Sequence, residues 1–467
     1  MTIPRSPLLL SLVWAALQLG GTRRNPPRRG HSLVQTMSMS RVGLVLIFFL
    51  CLTFAWPCKA TEAAETNSSS SYIDIDGPPH HYRTRTPRDR FTRAMEAIEN
   101  DPHLDRSSEK AFLGSFLKIL GVPASSQMLV FSTTSLQINL ISPSNPRAIY
   151  FSEDIYVGYV PGGRIEVLAL DPELGAIFYI FDIPREQSSP IRFERSTRCM
   201  HCHASEDTGY VPGLLIKSVA PAPRGGGSLD SFRRLQSGHG VPFADRFGGW
   251  HVTGKHGITN HWGNLIGRYV NGEITREPNP PGVKYQWAKY PVETSDILPH
   301  LLHEHQVGFV NRVVEAGYRA RTALFISNGK KITPAQEAEL DEQAKIVTRY
   351  LLFADEVPLP GGGVEPDATY KTDFLADRRA TSEGLSLKDL DLKTRLFKHR
   401  CSYMIYSAIF QELPGVLKNR VYQRLKAALK ETPANEEFNY LPAAERRAIR
   451  GILKATLPEL GEGGNEG

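Results

Sequence analysis

The sequence predicts an α+β fold: N-terminal helices packed on an antiparallel sheet, then a loop-rich region, then a mostly helical C-terminal part. Three observations predict it. Between Met128 and Asp182 the apolar residues recur with a period of two, in short runs rich in β-branched and aromatic side chains. Two segments ahead of that stretch repeat their apolar residues at helical spacing. From residue 293 to 458 the helical period dominates. With 467 residues, 41% hydrophobic and 22% charged, the composition is that of an ordinary globular chain long enough for two or three domains.

Residues 1–60 read as a leader. The apolar run from Leu8 to Leu19 is too short to span a bilayer comfortably. The second run, Val42 to Ala55, follows Arg41 and precedes Cys58-Lys59-Ala60, which fits a signal peptide over 37–60 starting at Met37 or Met39. Residues 1–36 then read as an over-extended start, and a retained N-terminal anchor is the rival reading. Residues 61–86, with Asn67 followed by four serines and Pro78-Pro79, have linker composition. The formal charge of +6 arises in the leader, where Arg5, Arg23, Arg24, Arg28, Arg29, Arg41 and Lys59 meet no acid. The rest of the chain nets −1, which argues against a nucleic-acid surface.

An α+β domain is expected over 87–190. Thr86-Pro87 predicts a helix start, with Phe91, Met95 and Ile98 as the apolar stripe. Phe112, Leu113, Phe116, Leu117 and Leu120 predict a second helix that stops at Gly121. Strands are expected at 129–131, 138–141, 148–151, 156–160, 165–168 and 177–181. Pro161-Gly162-Gly163 and Asp171 to Gly175 are the clearest turns. Residues 191–292 are rich in Gly, Pro and His and poor in periodicity. In the region 293–458, a helix is expected over 296–323, where His305 shares a face with Leu298, Leu301, Leu302 and Phe309 while His303 points away. Thr333-Pro334-Ala335-Gln336 is a capping box opening the next helix, to about Leu352. Pro358–Pro366 reads as a loop, and Leu385–Leu429 as largely helical, holding Cys401 and Met404 and breaking at Pro414-Gly415. Ile449, Ile452, Leu453 and Leu457 mark the last helix. The tail 459–467 is expected to be disordered.

The chemistry concentrates in Cys199-Met200-His201-Cys202-His203. Cys-x-x-Cys-His is the pattern of covalent haem attachment: two thiols add to the vinyl groups of one haem, and the following imidazole ligates iron. A four-thiolate zinc site lacks its second pair, since only Cys401 remains downstream. A thioredoxin-like redox pair belongs at a strand-to-helix junction in a βαβ unit, whereas Ser189–Thr197 reads as loop or ragged strand. Two free thiols beside an unrelated histidine is the remaining alternative. The reading is therefore one haem c, with Cys199 and Cys202 as thioether residues and His203 as proximal iron ligand. The other nitrogen of His203 is expected to be held by a backbone carbonyl or side-chain acceptor. Candidates for a sixth ligand are His256 and His261, which lie among glycines in the Trp250–Asn264 segment, ahead of Met404 and His305.

Several short blocks carry a resemblance. They are Ser126–Ser132, Asn145–Phe151, Cys199–His203, Val211-Pro212-Gly213, Gly248-Gly249-Trp250, Gly254–Gly257, His261–Asn264, Glu304-His305-Gln306 and Cys401–Ser407. In this order they resemble exported bacterial proteins that carry a cytochrome c domain with a single Cys-x-x-Cys-His, over roughly residues 87–430. The resemblance implies c-type haem and electron transfer, and no substrate. The chain departs from that pattern in its doubled leader and in His251, where an aromatic residue is expected. It also departs from small class I cytochromes c, whose motif closes an N-terminal helix.

The leading function is a periplasmic electron-transfer protein with an unknown redox partner protein, no nucleic acid, and membrane association only if the leader is retained. A haem enzyme of peroxidase or oxidase type, with the sixth iron position open, is the alternative favoured by the large non-haem portion. A haem-based redox or gas sensor is the third class, and lacks an evident output domain.

Overall fold

The computed structural model describes residues 72–461 except 134, 185, 187–188, 233–237 and 433–435. The expected leader, the first part of the linker and the last six residues lie outside the described residues. Residues 72–86, expected as linker, tuck Ile73, Ile75, His80 and Tyr82 into the core, with the Tyr82 hydroxyl donating to the Ala176 carbonyl at 2.8 Å.

Helix α1 (Arg90–Glu99) starts three residues after Pro87, because the Asp89 carboxylate caps it by accepting the Thr92 N–H. Helix α2 (Glu109–Ile119) is capped by Ser108, and the chain leaves it through Gly121 at φ +60°. The meander follows as β1 (Met128–Val130), β2 (Arg147–Phe151), β3 (Ile155–Tyr159), β4 (Ile165–Asp171), β5 (Gly175–Phe181) and β6 (Glu194–Arg195). The run at 138–141 is not a strand. It curls into turns that leave Ile138 and Leu140 exposed, tied down by Asn145, whose amide donates to the carbonyls of Leu140 and Pro161.

The short helix α3 (Met200–His203) precedes β7 (Val219–Pro221), β8 (Ser228–Ser231), β9 (Trp250–His251), β10 (Lys255–His256), β11 (Leu265–Val270) and β12 (Glu273–Pro278). The hairpin β11–β12 turns through Asn271 and Gly272, both at positive φ, as a two-residue hairpin loop requires. Strand β9 joins the meander, giving a seven-stranded antiparallel sheet in the order β6-β5-β4-β3-β2-β1-β9. The sheet thus draws on residues from both sides of position 190.

The C-terminal part is helical: α4 (Ile297–Ser327), α5 (Pro334–Leu351), then α6 (Ala368–Leu375), α7 (Ala408–Gln411), α8 (Gly415–Ala428), α9 (Ala443–Thr456) and α10 (Pro458–Gly461), with a two-residue strand β13 (Val364–Glu365) before α6. The capping box at Thr333 and Gln336 is formed, and Pro414 precedes α8. Residues 385–402 are turns and bends rather than helix. Short acidic side chains capture the backbone there: the Asp391 carboxylate accepts the N–H groups of Lys393 and Thr394, and Asp389 that of Ser386. Cys401 and Met404 are buried outside any α-helix, and burial pushes the Cys401 thiol up to about 12.

Cross-strand register divides the sheet into two faces. Phe181, Tyr179, Val167, Ile165, Tyr150 and Ala148 form one, sealed by α1 and α2 through contacts such as Phe91 on Tyr179 and Phe116 on Phe181. The other face carries α4, in which every residue from Ile297 to Asn311 is buried. Helix α4 crosses the sheet from Phe151 and Tyr156, which meet His303, to the β4–β5 turn, where the Tyr318 hydroxyl donates to the Leu174 carbonyl. Helix α5 packs between α4 and α8.

Phe116→Ala should cost about 3–5 kcal/mol by opening a cavity under the sealed face, read as a lower denaturant midpoint. A second expectation concerns acid. Burial, the largest cause for each, holds His251, His300 and His305 at about 3, well below their ordinary 6.5. The unfolded chain takes up protons below pH 6.5 while the folded chain resists until about 3, so stability falls as pH falls through that window. By pH 5 the loss is up to about 2 kcal/mol per histidine. Equal denaturant midpoints at pH 7.5 and pH 5 would contradict it.

Candidate functional site

After β6 the Ser196 N–H donates to the Phe178 carbonyl, and the chain turns through a single 3₁₀ turn, Thr197–Cys199, into α3. Helical winding puts Cys199, Cys202 and His203, at offsets of three and four, on one side of the turn. Both thiols are free; Cys199 is half-buried and Cys202 exposed. Burial raises the pKa of the Cys199 thiol, which donates to Ser196 Oγ at 3.7 Å. His201 is exposed, with Nδ1 on the Arg198 carbonyl, and Met200 is buried.

The ring of His203 lies 4.5 Å from that of Phe178, and its Nδ1 lies 2.9 Å from the Gly213 carbonyl oxygen. A carbonyl only accepts, so Nδ1 carries the proton and Nε2 keeps its lone pair. Burial lowers the imidazole to about 4, which keeps it neutral at pH 7. A neutral imidazole with one nitrogen anchored and the other free is the form that ligates metals. The anchor is itself held. Gly213 N–H donates to the His203 carbonyl, and Asn311 of α4 clamps Leu214 by accepting its N–H at 2.8 Å and donating to its carbonyl at 2.9 Å. A Cβ at position 213 would stand 2.6 Å from Asn311 Oδ1, so only glycine fits.

The sheet beside the turn is open where the opposite face is sealed. Register places Phe178, Leu168, Tyr156 and Phe151 in one cross-strand row, and Ile180, Glu166, Gly158 and Ile149 in the next. Leu168 and Ile149 are half-buried. The Arg147 guanidinium pairs with Glu166 and lies over Gly158, where a Cβ would meet it; its Nε is buried without a hydrogen-bond partner. Its charge acts on both Cys199 and His203. Two free thiols, a ligating nitrogen, an apolar strip and a cation with a spare donor fit a flat, apolar, carboxylate-bearing cofactor held through the motif.

The expected sixth ligands have partners of their own. His256 is on β10 with Nδ1 at the Ile258 carbonyl, and His261 Nδ1 accepts the Gly263 N–H. Their rings are 5.4 Å apart, and His261 leans on Phe247, which in turn meets His300. Among the described residues neither forms a hydrogen bond or ring contact with the Cys199–His203 turn. His305 uses both nitrogens, on His239 and Ser402, and Met404 is enclosed in the core. His251 packs its ring on Phe131 and Tyr285. His303, read from sequence as turned away, is buried against Phe151, Tyr156 and Trp250. The sequence reading also missed Arg147, Phe178 and Asn311 as neighbours of the motif. Only the distinctive Val211-Pro212-Gly213 block hinted at the anchor.

The described residues contain no cluster of three or more His, Cys, Asp or Glu able to hold a metal ion, and no helix long and apolar enough to cross a membrane. No protein-family model, curated protein or solved structure matches the chain.

Asn311→Ala should destabilise the protein by about 2–3 kcal/mol, because both polar groups of Leu214 lose their buried partner. Asn311→Asp keeps the acceptor and should fall between; chemical denaturation of the three proteins checks the order.

Proposed function

We propose that the protein is a c-type cytochrome of the periplasm, holding one haem through thioethers to Cys199 and Cys202, with His203 as proximal ligand, and passing single electrons to a partner protein. The observation that carries the reading is the motif turn itself: two free thiols and a neutral imidazole on one side of α3, with Nδ1 of His203 committed to Gly213 and Nε2 left free. Bound haem would supply reversible one-electron chemistry at iron. The chain supports it by fixing the His203 ring, excluding water with Phe178 and Met200, and offering Arg147 to a carboxylate. The signal peptide reading of residues 37–60 supports export, since thioether attachment takes place outside the cytoplasm.

Produced with its leader in a host that matures cytochromes c, the protein should keep its haem stain through a denaturing gel. Cys199→Ser and Cys202→Ser should each weaken or abolish the stain, whereas Cys401→Ser should leave it unchanged because that thiol is sealed in the core. His203→Ala should disrupt the visible spectrum and His201→Ala should not. An unstained wild type, or equal effects at 201 and 203, would sink the reading.

A further inference from the structure

The imidazole of His303 combines burial in the core with ring nitrogens that no partner holds. It is 5% exposed, no hydrogen bond holds either of its ring nitrogens among the described residues, and neither nitrogen is sealed off without a partner as both of His251 are. A core imidazole that is neither paired nor sealed calls for a reason. Its histidine neighbours on α4 are paired: His300 Nε2 sits on the His251 carbonyl, and His305 bonds His239 and Ser402.

Where His303 stands supplies the reason. Its ring lies 5.2 Å from Phe151 and 5.6 Å from Tyr156, while that of His203 lies 4.5 Å from Phe178. Phe178, Leu168, Tyr156 and Phe151 are cross-strand partners in a single row, so both imidazoles stand on one row of one face. His203 is over β5 and His303 over β3 and β2. The interval is two to three strands wide, roughly 10–14 Å between strand axes. Its floor is the half-buried Leu168, with the half-buried Ile149 in the neighbouring row. The Arg147 guanidinium lies over Gly158 in that neighbouring row and pairs with Glu166. Trp250 closes the His303 side, its indole N–H donating to the Lys217 carbonyl.

We infer that His303 supplies the second axial nitrogen to an iron ligated by His203, the two imidazoles flanking a slot floored by Leu168 and Ile149 with the Arg147 guanidinium beside them. This rests on the c-type reading above, and names the sixth ligand that reading leaves open. A neutral imidazole on each side of iron gives a low-spin, six-coordinate centre, with a lower potential than one bearing a thioether.

The test uses the full chain, matured with its haem, and reads ferric electron paramagnetic resonance alongside the denaturing-gel stain. The wild type should be low spin and inert to carbon monoxide when reduced. His303→Ala should turn the signal high spin while keeping the stain, and added imidazole should restore the low-spin signal. His303→Gln, closer in volume, should give the same change if the alanine variant fails to accumulate. A low-spin signal that survives both substitutions would overturn the inference, and His256→Ala or His261→Ala would then locate the ligand. A high-spin wild type that keeps its stain would overturn it too, leaving covalent attachment intact and moving an enzyme or sensor ahead. An unstained wild type would remove the c-type reading along with it.

Discussion

The bidentate clamp of Asn311 on Leu214 is the interaction on which the site depends. One amide in the middle of α4 satisfies both backbone groups of a residue in an otherwise irregular segment. That fixes the neighbouring Gly213 carbonyl, which fixes the tautomer and ring plane of His203. The motif turn is only one helical turn long and has little stability of its own. Its geometry is borrowed from a 31-residue helix that reaches across the sheet. A single peptide thus couples the His203 ring to α4, although Cys202 itself is exposed.

Much of the fold is legible in the sequence. The period-two runs became β1 to β5, and the capping box at Thr333 opens a helix. The run at 138–141 failed because alternation signals a strand only where a neighbour can pair with it, and Asn145 folds this segment back on itself. Residues 385–402 failed for a related reason: Leu and Phe recur at suggestive spacing, but the intervening Asp391 and Asp389 take the backbone N–H groups.

The site is legible by halves. Cys199, Cys202 and His203 are adjacent in sequence, so spacing alone brings them together. Arg147, Phe178 and Asn311 are brought to the motif, and His303 to the same face of the sheet, by sheet register and by the path of α4, which no local pattern encodes. His303 shows why. A helical wheel separates an inside from an outside only for a helix with one wet face. Helix α4 is buried on every side through its first half, so calling His303 outward misjudged the surroundings, not the angle.

Strand β9 contributes two residues to the sheet, yet Trp250 and His251 come about a hundred residues after β2, the other neighbour of β1. Until that part of the chain arrives, β1 presents an unpaired edge in a strand whose three residues are all apolar. Such an edge is a template for pairing with another chain. A nascent or truncated polypeptide ending before Trp250 therefore carries an association hazard that the finished protein does not. The late-arriving strand also raises the sequence separation of native contacts, which slows folding. Chaperoning of the unfinished chain, rather than the stability of the finished one, is where this topology makes its demand.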